Sequence, residues 1–195
     1  MTHLILGGAR SGKSRHAEQL AIASQRTVSV IVTAQAQDDE MAQRIAHHQA
    51  NRPSHWQVIE APLNLAAALQ IHARDGHCII VDCLTLWLSN LLCQTPEQLQ
   101  HERDALLTLL PTLPGTVLLV SNEVGMGIIP LGELTRRFVD EAGWLNQAVA
   151  GVCERVTLVA AGLPLVLKQE ITSTDHANNP ETAGFRELPR PDFQR

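Results

Sequence analysis

Gly7-Gly8-Ala9-Arg10-Ser11-Gly12-Lys13-Ser14 decides how the rest of the chain is read. The stretch has the form G-x-x-x-x-G-K-S, and the short apolar run His3-Leu4-Ile5-Leu6 leads into it as a buried strand would. Arg15 to about Ala23 follow, with Ala17, Leu20 and Ala21 at helical spacing. Strand, glycine turn and helix therefore stand in the order that a phosphate-binding loop requires. The glycines let the backbone turn tightly and aim its N–H groups at phosphate oxygens. The helix opening near Gly12 points the positive end of its dipole at the same place. Lys13 would reach the β- and γ-phosphates, and Ser14 would hold Mg2+. The alternative is a glycine-rich turn without a ligand, and the flanking strand and helix speak against it.

Outward from this loop, composition narrows the choices. The chain has 195 residues, which suits one domain with a proper core. Hydrophobic residues make up 45%, as in globular proteins. A net charge of −5 argues against a nucleic-acid surface, which needs a basic face. Aromatics at 3%, with no tyrosine, leave nothing for a base-stacking platform. No apolar run is long enough to span a bilayer, and the apolar stretch before the loop is too short for a signal peptide. Cys78, Cys83, Cys93 and Cys153 show no C-x-x-C spacing, and they read as small buried hydrophobes in a reducing cytosol.

Three more apolar runs read as buried strands, Thr27 to Val32, Cys78 to Asp82 and Val117 to Val120, and Val58-Ile59-Glu60-Ala61-Pro62 reads as a short strand with an acid at its end. Val156 to Ala160 is a late strand, and Leu165 to Leu167 an edge strand beside it. The segments between them read as helices: Leu63 to about His72, Leu84 to Cys93, Pro96 to Leu110, and one or two helices over 133–153. This alternation predicts an α/β fold with a mostly parallel sheet flanked by helices. In such sheets ligands sit beyond the carboxyl ends of the strands. That makes Thr33, Ala34 and Gln35 candidate contacts, along with Glu60 and Asp82 at their strand ends. Each also fits a plain role, as a connecting loop or an exposed acid. Ser121-Asn122-Glu123-Val124-Gly125-Met126-Gly127 follows a core strand and reads as a functional loop. Trp87 reads as a packing or subunit-contact residue.

The segment 38–52 carries Asp38-Asp39-Glu40 ahead of a helical pattern ending at Pro53. Arg44 and His48 lie four apart on one face, with Arg52 one turn further on. Guanidinium groups on both sides disfavour a charged imidazole and also suit phosphate. Periodicity by itself fits a packed histidine on the Met41/Ile45 face at least as well. His47 points about 100° away.

Taken together, the glycine loop, Asp38-Asp39-Glu40-Met41 with Arg44-Ile45-x-x-His48-x-x-x-Arg52-Pro53, Asp82 after its strand, and Asn122-Glu123-Val124-Gly125-Met126-Gly127-Ile128-Ile129-Pro130 form a specific combination. The chain resembles the bifunctional adenosylcobinamide kinase/adenosylcobinamide-phosphate guanylyltransferase family of cobalamin biosynthesis, from residue 4 to about 167. The resemblance implies a RecA-like P-loop NTPase fold over 1–167, assembled as a cytoplasmic homotrimer, with 168–195 left as a polar tail or lid. It implies phosphorylation of adenosylcobinamide by ATP or GTP, then GMP transfer from GTP through a guanylylated histidine. The products would be adenosylcobinamide-GDP and pyrophosphate. The family's pattern assigns that histidine to His48. It assigns nucleotide contacts to Gly7, Gly8, Ala9, Arg10, Ser11, Gly12, Lys13, Ser14, Thr33, Ala34, Gln35, Gln49, Ala50, Asn51, Arg52, Glu60 and Asp82. Mg2+ is expected on Ser14, with Asp82 joining directly or through water. The competing readings are a simple small-molecule kinase with no covalent intermediate and a non-enzymatic nucleotide-binding switch.

Overall fold

A computed structural model describes residues 1–34 and 53–169. The sequence expectations on Gln35, Arg44, His47, His48, Gln49, Ala50, Asn51, Arg52 and the tail from 170 lie outside those residues.

Seven strands form one sheet: β1 (Thr2–Gly7), β2 (Thr27–Val32), β3 (Gln57–Glu60), β4 (His77–Asp82), β5 (Thr116–Asn122), β6 (Arg155–Ala160) and β7 (Leu163–Gln169). Their order is β3-β2-β4-β5-β1-β6-β7. All neighbours pair in parallel except β6 and β7, which form an antiparallel hairpin at one edge. The described helices are α1 (Lys13–Ala23), α2 (Leu65–His72), α3 (Leu84–Leu92), α4 (Pro96–Leu109) and α5 (Glu133–Val152). The α/β class and each expected strand are present. Residues 133–152 form a single helix, with Gly143 and Gly151 inside it. Lys168 donates from Nζ to the carbonyls of Ala150 and Gly151, which closes the C-terminus of that helix. β7 therefore runs two residues past the boundary drawn at 167.

Strand alternation sends apolar side chains to both faces, and each face has its own core. On one face, Leu4, Ile31, Ile79, Val81, Val117 and Leu119 pack against α2, α3, α4 and α5. On the other, Ile5, Val28, Val30, Ile80, Leu118 and Val120 pack against Ala17 and Ala21 of α1. The central strands are thus buried on both sides, and this is why they read as continuous apolar runs. Trp87 is a packing residue: it is fully buried, and its Nε1 donates to Leu63 O at 2.6 Å. The reading of all four cysteines as buried needs correction. Cys78, Cys83 and Cys153 are buried, whereas Cys93 lies exposed at the end of α3, where the apolar run gives way to Gln94.

His3 couples the core to pH. Its Nε2 sits 2.8 Å from Thr157 Oγ1, and burial, helped by the charges of Arg155 and His16, lowers its pKa from 6.5 to about 4. The unfolded chain takes up this proton near pH 6.5 and the folded chain only near 4. Its contribution is therefore complete above pH 6.5 and is lost as pH falls through that window. Urea midpoints measured from pH 7 to pH 4 are expected to fall less steeply for His3→Gln, which can keep the Thr157 bond but has no such titration.

Candidate functional site

The site forms where β1 ends and α1 begins. Arg10 takes φ 56 and Gly12 takes φ 99, so the loop doubles back before the helix starts. Ser11 N–H donates to Gly8 O at 3.2 Å, and His16 N–H donates to Gly12 O at 2.9 Å. A third bond, Gly162 N–H to Ser11 O at 2.8 Å, ties the loop to the β6–β7 turn. Gly12 packs so closely there that a Cβ would lie 3.2 Å from Gly162 Cα. At Gly7 a Cβ would collide with Ser11 Oγ and sit 2.6 Å from the Val159 carbonyl. Gly7→Ala is therefore expected to cost about 1–3 kcal/mol of stability, as overpacking does. A lowered urea midpoint together with weaker nucleotide binding in calorimetry checks this.

Lys13 is buried at the base of the loop, and its Nζ donates to Gly8 O at 3.0 Å. Burial lowers its pKa, partly offset by the nearby Asp82 carboxylate. A poorly solvated ammonium of this kind gains strongly from an anion at the loop mouth. Ser14 follows in the first turn of α1, half-buried. The Ser11 hydroxyl is buried without a hydrogen-bond partner among the described residues.

Asp82 ends β4, two strands from β1 with β5 between them. At the usual strand spacing the lateral distance is about 10 Å. Thr33 lies one strand further, just past the end of β2, and is fully buried. Its hydroxyl donates to Cys83 O at 2.7 Å and accepts from Cys83 N–H at 3.0 Å. Its carbonyl accepts from Asn90 Nδ2 at 2.8 Å. Thr33 therefore holds the ends of β2 and β4 together beside Asp82, and its hydroxyl is already committed to the Cys83 backbone. Cys83 itself is buried, which pushes its thiol up to about 11 and keeps it protonated near neutral pH. Ala34 follows Thr33 and is half-buried. Glu60 ends the edge strand β3, exposed, four strands from β1 and so about 19 Å away laterally. The sheet thus brings the loop, Asp82, Thr33 and Glu60 to one edge in a row. The row is long enough that Glu60 can meet only the far end of a nucleotide whose phosphates lie at Lys13.

Sequence reasoning placed Ser121 and Asn122 in a loop, yet both belong to β5. It also missed a polar group beneath them. Ser121 Oγ donates to Asn146 Oδ1 at 2.7 Å and lies 3.4 Å from Thr85 Oγ1. Thr85 Oγ1 accepts from Asn122 N–H at 2.6 Å, and Asn146 Nδ2 donates to Asn122 O at 3.3 Å. The available signal was polar residues inside two largely apolar helical stretches, Thr85 within Leu84 to Leu92 and Asn146 within Ala142 to Val149.

The family model described as cobinamide kinase / cobinamide phosphate guanyltransferase (CobU) matches residues 3–167. The chain belongs to this family. It is accordingly an enzyme with two activities, a cobinamide kinase and a cobinamide phosphate guanylyltransferase of adenosylcobalamin biosynthesis. Nothing supports the single-activity kinase reading. The chain is 62% identical over 171 residues to the bifunctional adenosylcobalamin biosynthesis protein CobP of Pseudomonas aeruginosa, covering 87% of this chain and 99% of that one. It is 39% identical over 182 residues to the protein of the same description, CobU, from Escherichia coli, covering 86% and 100%. A solved structure from Pyrococcus horikoshii OT3 superposes with a TM-score of 0.56 at 8% identity over 87% of each chain, a likeness of fold alone. Among the described residues of this kinase/guanylyltransferase, no helix is long and apolar enough to cross a membrane.

Proposed function

We propose that both reactions of this enzyme run at the sheet edge built on Gly7 to Ser14. The nucleotide phosphates lie on the N–H groups of the loop and on Lys13. Asp82, Thr33 to Gln35 and Glu60 follow the nucleotide toward its ribose and base, with Thr33 acting through the backbone it clamps. Residues 1–167 form the catalytic unit. The observation that carries this reading is the buried Lys13 ammonium at the base of the glycine turn, on the same edge as Asp82, in a chain whose family performs both activities.

The donor set at this edge also suits a hard cation. The Ser14 hydroxyl and the Asp82 carboxylate offer oxygen only. They would hold Mg2+, Asp82 directly or through water, and the ion would offset charge on the phosphate oxygens.

In the kinase step, the cobinamide hydroxyl oxygen bonds to the γ-phosphorus of ATP or GTP, the bond to the bridging oxygen breaks, and the nucleoside diphosphate leaves. Positioning and charge stabilisation are the protein's main contributions here. In the transferase step, a nitrogen of neutral His48 bonds to the α-phosphorus of GTP and pyrophosphate leaves. A phosphate oxygen of cobinamide phosphate then displaces the imidazole. Two easier displacements replace one difficult one. Arg44 and Arg52, one helical turn to either side of His48 in the sequence pattern, keep the ring neutral and grip phosphoryl oxygens. Gln49, Ala50 and Asn51 complete the nucleotide contacts.

Further features support a reading of quaternary structure and location. Ile128 and Leu131 are 98% exposed, Met126, Ile129 and Leu134 beside them in the chain are exposed as well, and so is the apolar edge strand β7. Surface of this kind supports a homotrimer, checked by light scattering. The four free thiols support a cytoplasmic setting.

The test is product analysis with purified protein. Adenosylcobinamide with ATP or GTP is expected to gain one phosphate, and then, with GTP, one GMP with stoichiometric pyrophosphate. Failure to convert the isolated phosphate in the presence of GTP would sink the transferase half.

A further inference from the structure

Asn122 is the residue at this edge that the functional reading leaves unused. It ends β5, the strand lying between the phosphate loop and Asp82, and it pairs in register with Gly7. Strand alternation fixes the side it faces. Leu118 and Val120 pack on the α1 side with Ile5 and Ile80, so Asn122, two residues beyond Val120, projects on that same side, as Asp82 does two residues beyond Ile80. The opening turn of α1, with Lys13 and Ser14, lies on that side. The Asn122 side chain is half-buried and has no hydrogen-bond partner among the described residues.

Its backbone, by contrast, is held at both ends. Thr85 takes its N–H and Asn146 binds its carbonyl, while Ser121 links the two. Thr85, Ser121 and Asn146 are all buried on the opposite, apolar side of the sheet. Placing three polar side chains there is costly unless each is satisfied, and satisfied they fix one geometry. The neighbouring Glu123 N–H donates to Gly7 O at 3.0 Å, which locks the end of β5 to the start of the loop.

We propose that the Asn122 carboxamide is a further catalytic residue, donating its N–H to the phosphoryl oxygens gathered at the loop mouth, and that Asn146, through Ser121 and Thr85, is its positioning residue. The proposal rests on the phosphate-loop reading above. In the kinase step the amide meets charge that spreads over the equatorial oxygens of the transferring group. A donor fixed before the reaction needs no reorganisation at that moment.

The test uses the full chain in the cobinamide kinase assay. Asn122→Ala is expected to lower kcat on the order of 10²–10³-fold, as loss of one fixed donor does, with a much smaller change in KM for nucleotide. Asn122→Asp is expected to be slower still and to bind nucleotide more weakly, because a carboxylate repels phosphate oxygens. Asn146→Leu should reduce kcat with Asn122 intact and add little in the Asn122→Ala background, since the two act as one unit. If Asn146→Leu does not fold, Ser121→Ala serves in the same cycle. Wild-type kcat in both Asn122 variants, Asp tolerated as well as Ala, or a fully additive cycle each overturns the proposal. Lys13→Ala run alongside separates the causes: if it too leaves turnover unchanged, the loop reading itself has failed.

Discussion

His48→Ala is expected to abolish GMP transfer and leave cobinamide phosphorylation near the wild-type rate. The asymmetry follows from the chemistry. Attack at the α-phosphorus through a covalent intermediate needs the imidazole nitrogen, and alanine offers no substitute. Transfer of the γ-phosphoryl group needs the loop, its lysine and the acceptor hydroxyl, none of which the substitution touches. GTP labelled at the α-phosphate should leave a protein-bound label, acid-labile and alkali-stable, in the wild type and none in His48→Ala. Label that persists in His48→Ala and disappears in His47→Ala would move the nucleophile by one residue. Loss of both activities with unchanged nucleotide binding would show that one histidine serves both reactions, contrary to the separation proposed.

The second large effect is expected at Lys13. Its ammonium is buried and its pKa is lowered by that burial, so the folded protein holds a poorly solvated charge that phosphate bound as proposed would stabilise. Lys13→Ala removes the one buried cation at the loop among the described residues, and it should slow both reactions. Losing one fixed electrostatic contact of this kind typically costs on the order of 10²–10³ in kcat. Kinase and transferase rates should fall together, because in the proposed site the same phosphates sit there in each step, as triphosphate before reaction and as diphosphate or pyrophosphate after. Lys13→Arg is not expected to restore activity. The planar guanidinium is bulkier than an ammonium and does not act as a compact point charge in a space this closed. A kinase rate that survives Lys13→Ala while the transferase collapses would place the two nucleotides differently.

Much of this was legible in the residues. The glycine loop could be read because each part has a local cause: Gly12 takes φ 99, Gly7 has no room for a Cβ, and Lys13-Ser14 open a helix. The strands were legible because burial on both faces makes continuous apolar runs such as Cys78 to Val81. Family membership was legible because the motif combination spans most of the chain. Cys93 was misread because an apolar run says nothing of where a helix end meets solvent. The role of Thr33 was only half visible. A threonine after a strand suggests a ligand contact, but its hydroxyl turns to the Cys83 backbone fifty residues away.

The sequence alone determined most of the elements and the glycine turn, since these depend on neighbours within one or two turns, and the family through a motif combination that spans the chain. Tertiary structure decided the order of strands, and with it which residues share the working edge. Parallel pairing joins segments far apart in the chain, so β5 could come to lie between the loop and Asp82 only through long-range packing. The same packing set Thr85, Ser121 and Asn146 beneath Asn122, because a hydrogen bond between distant residues leaves no periodic mark on either of them.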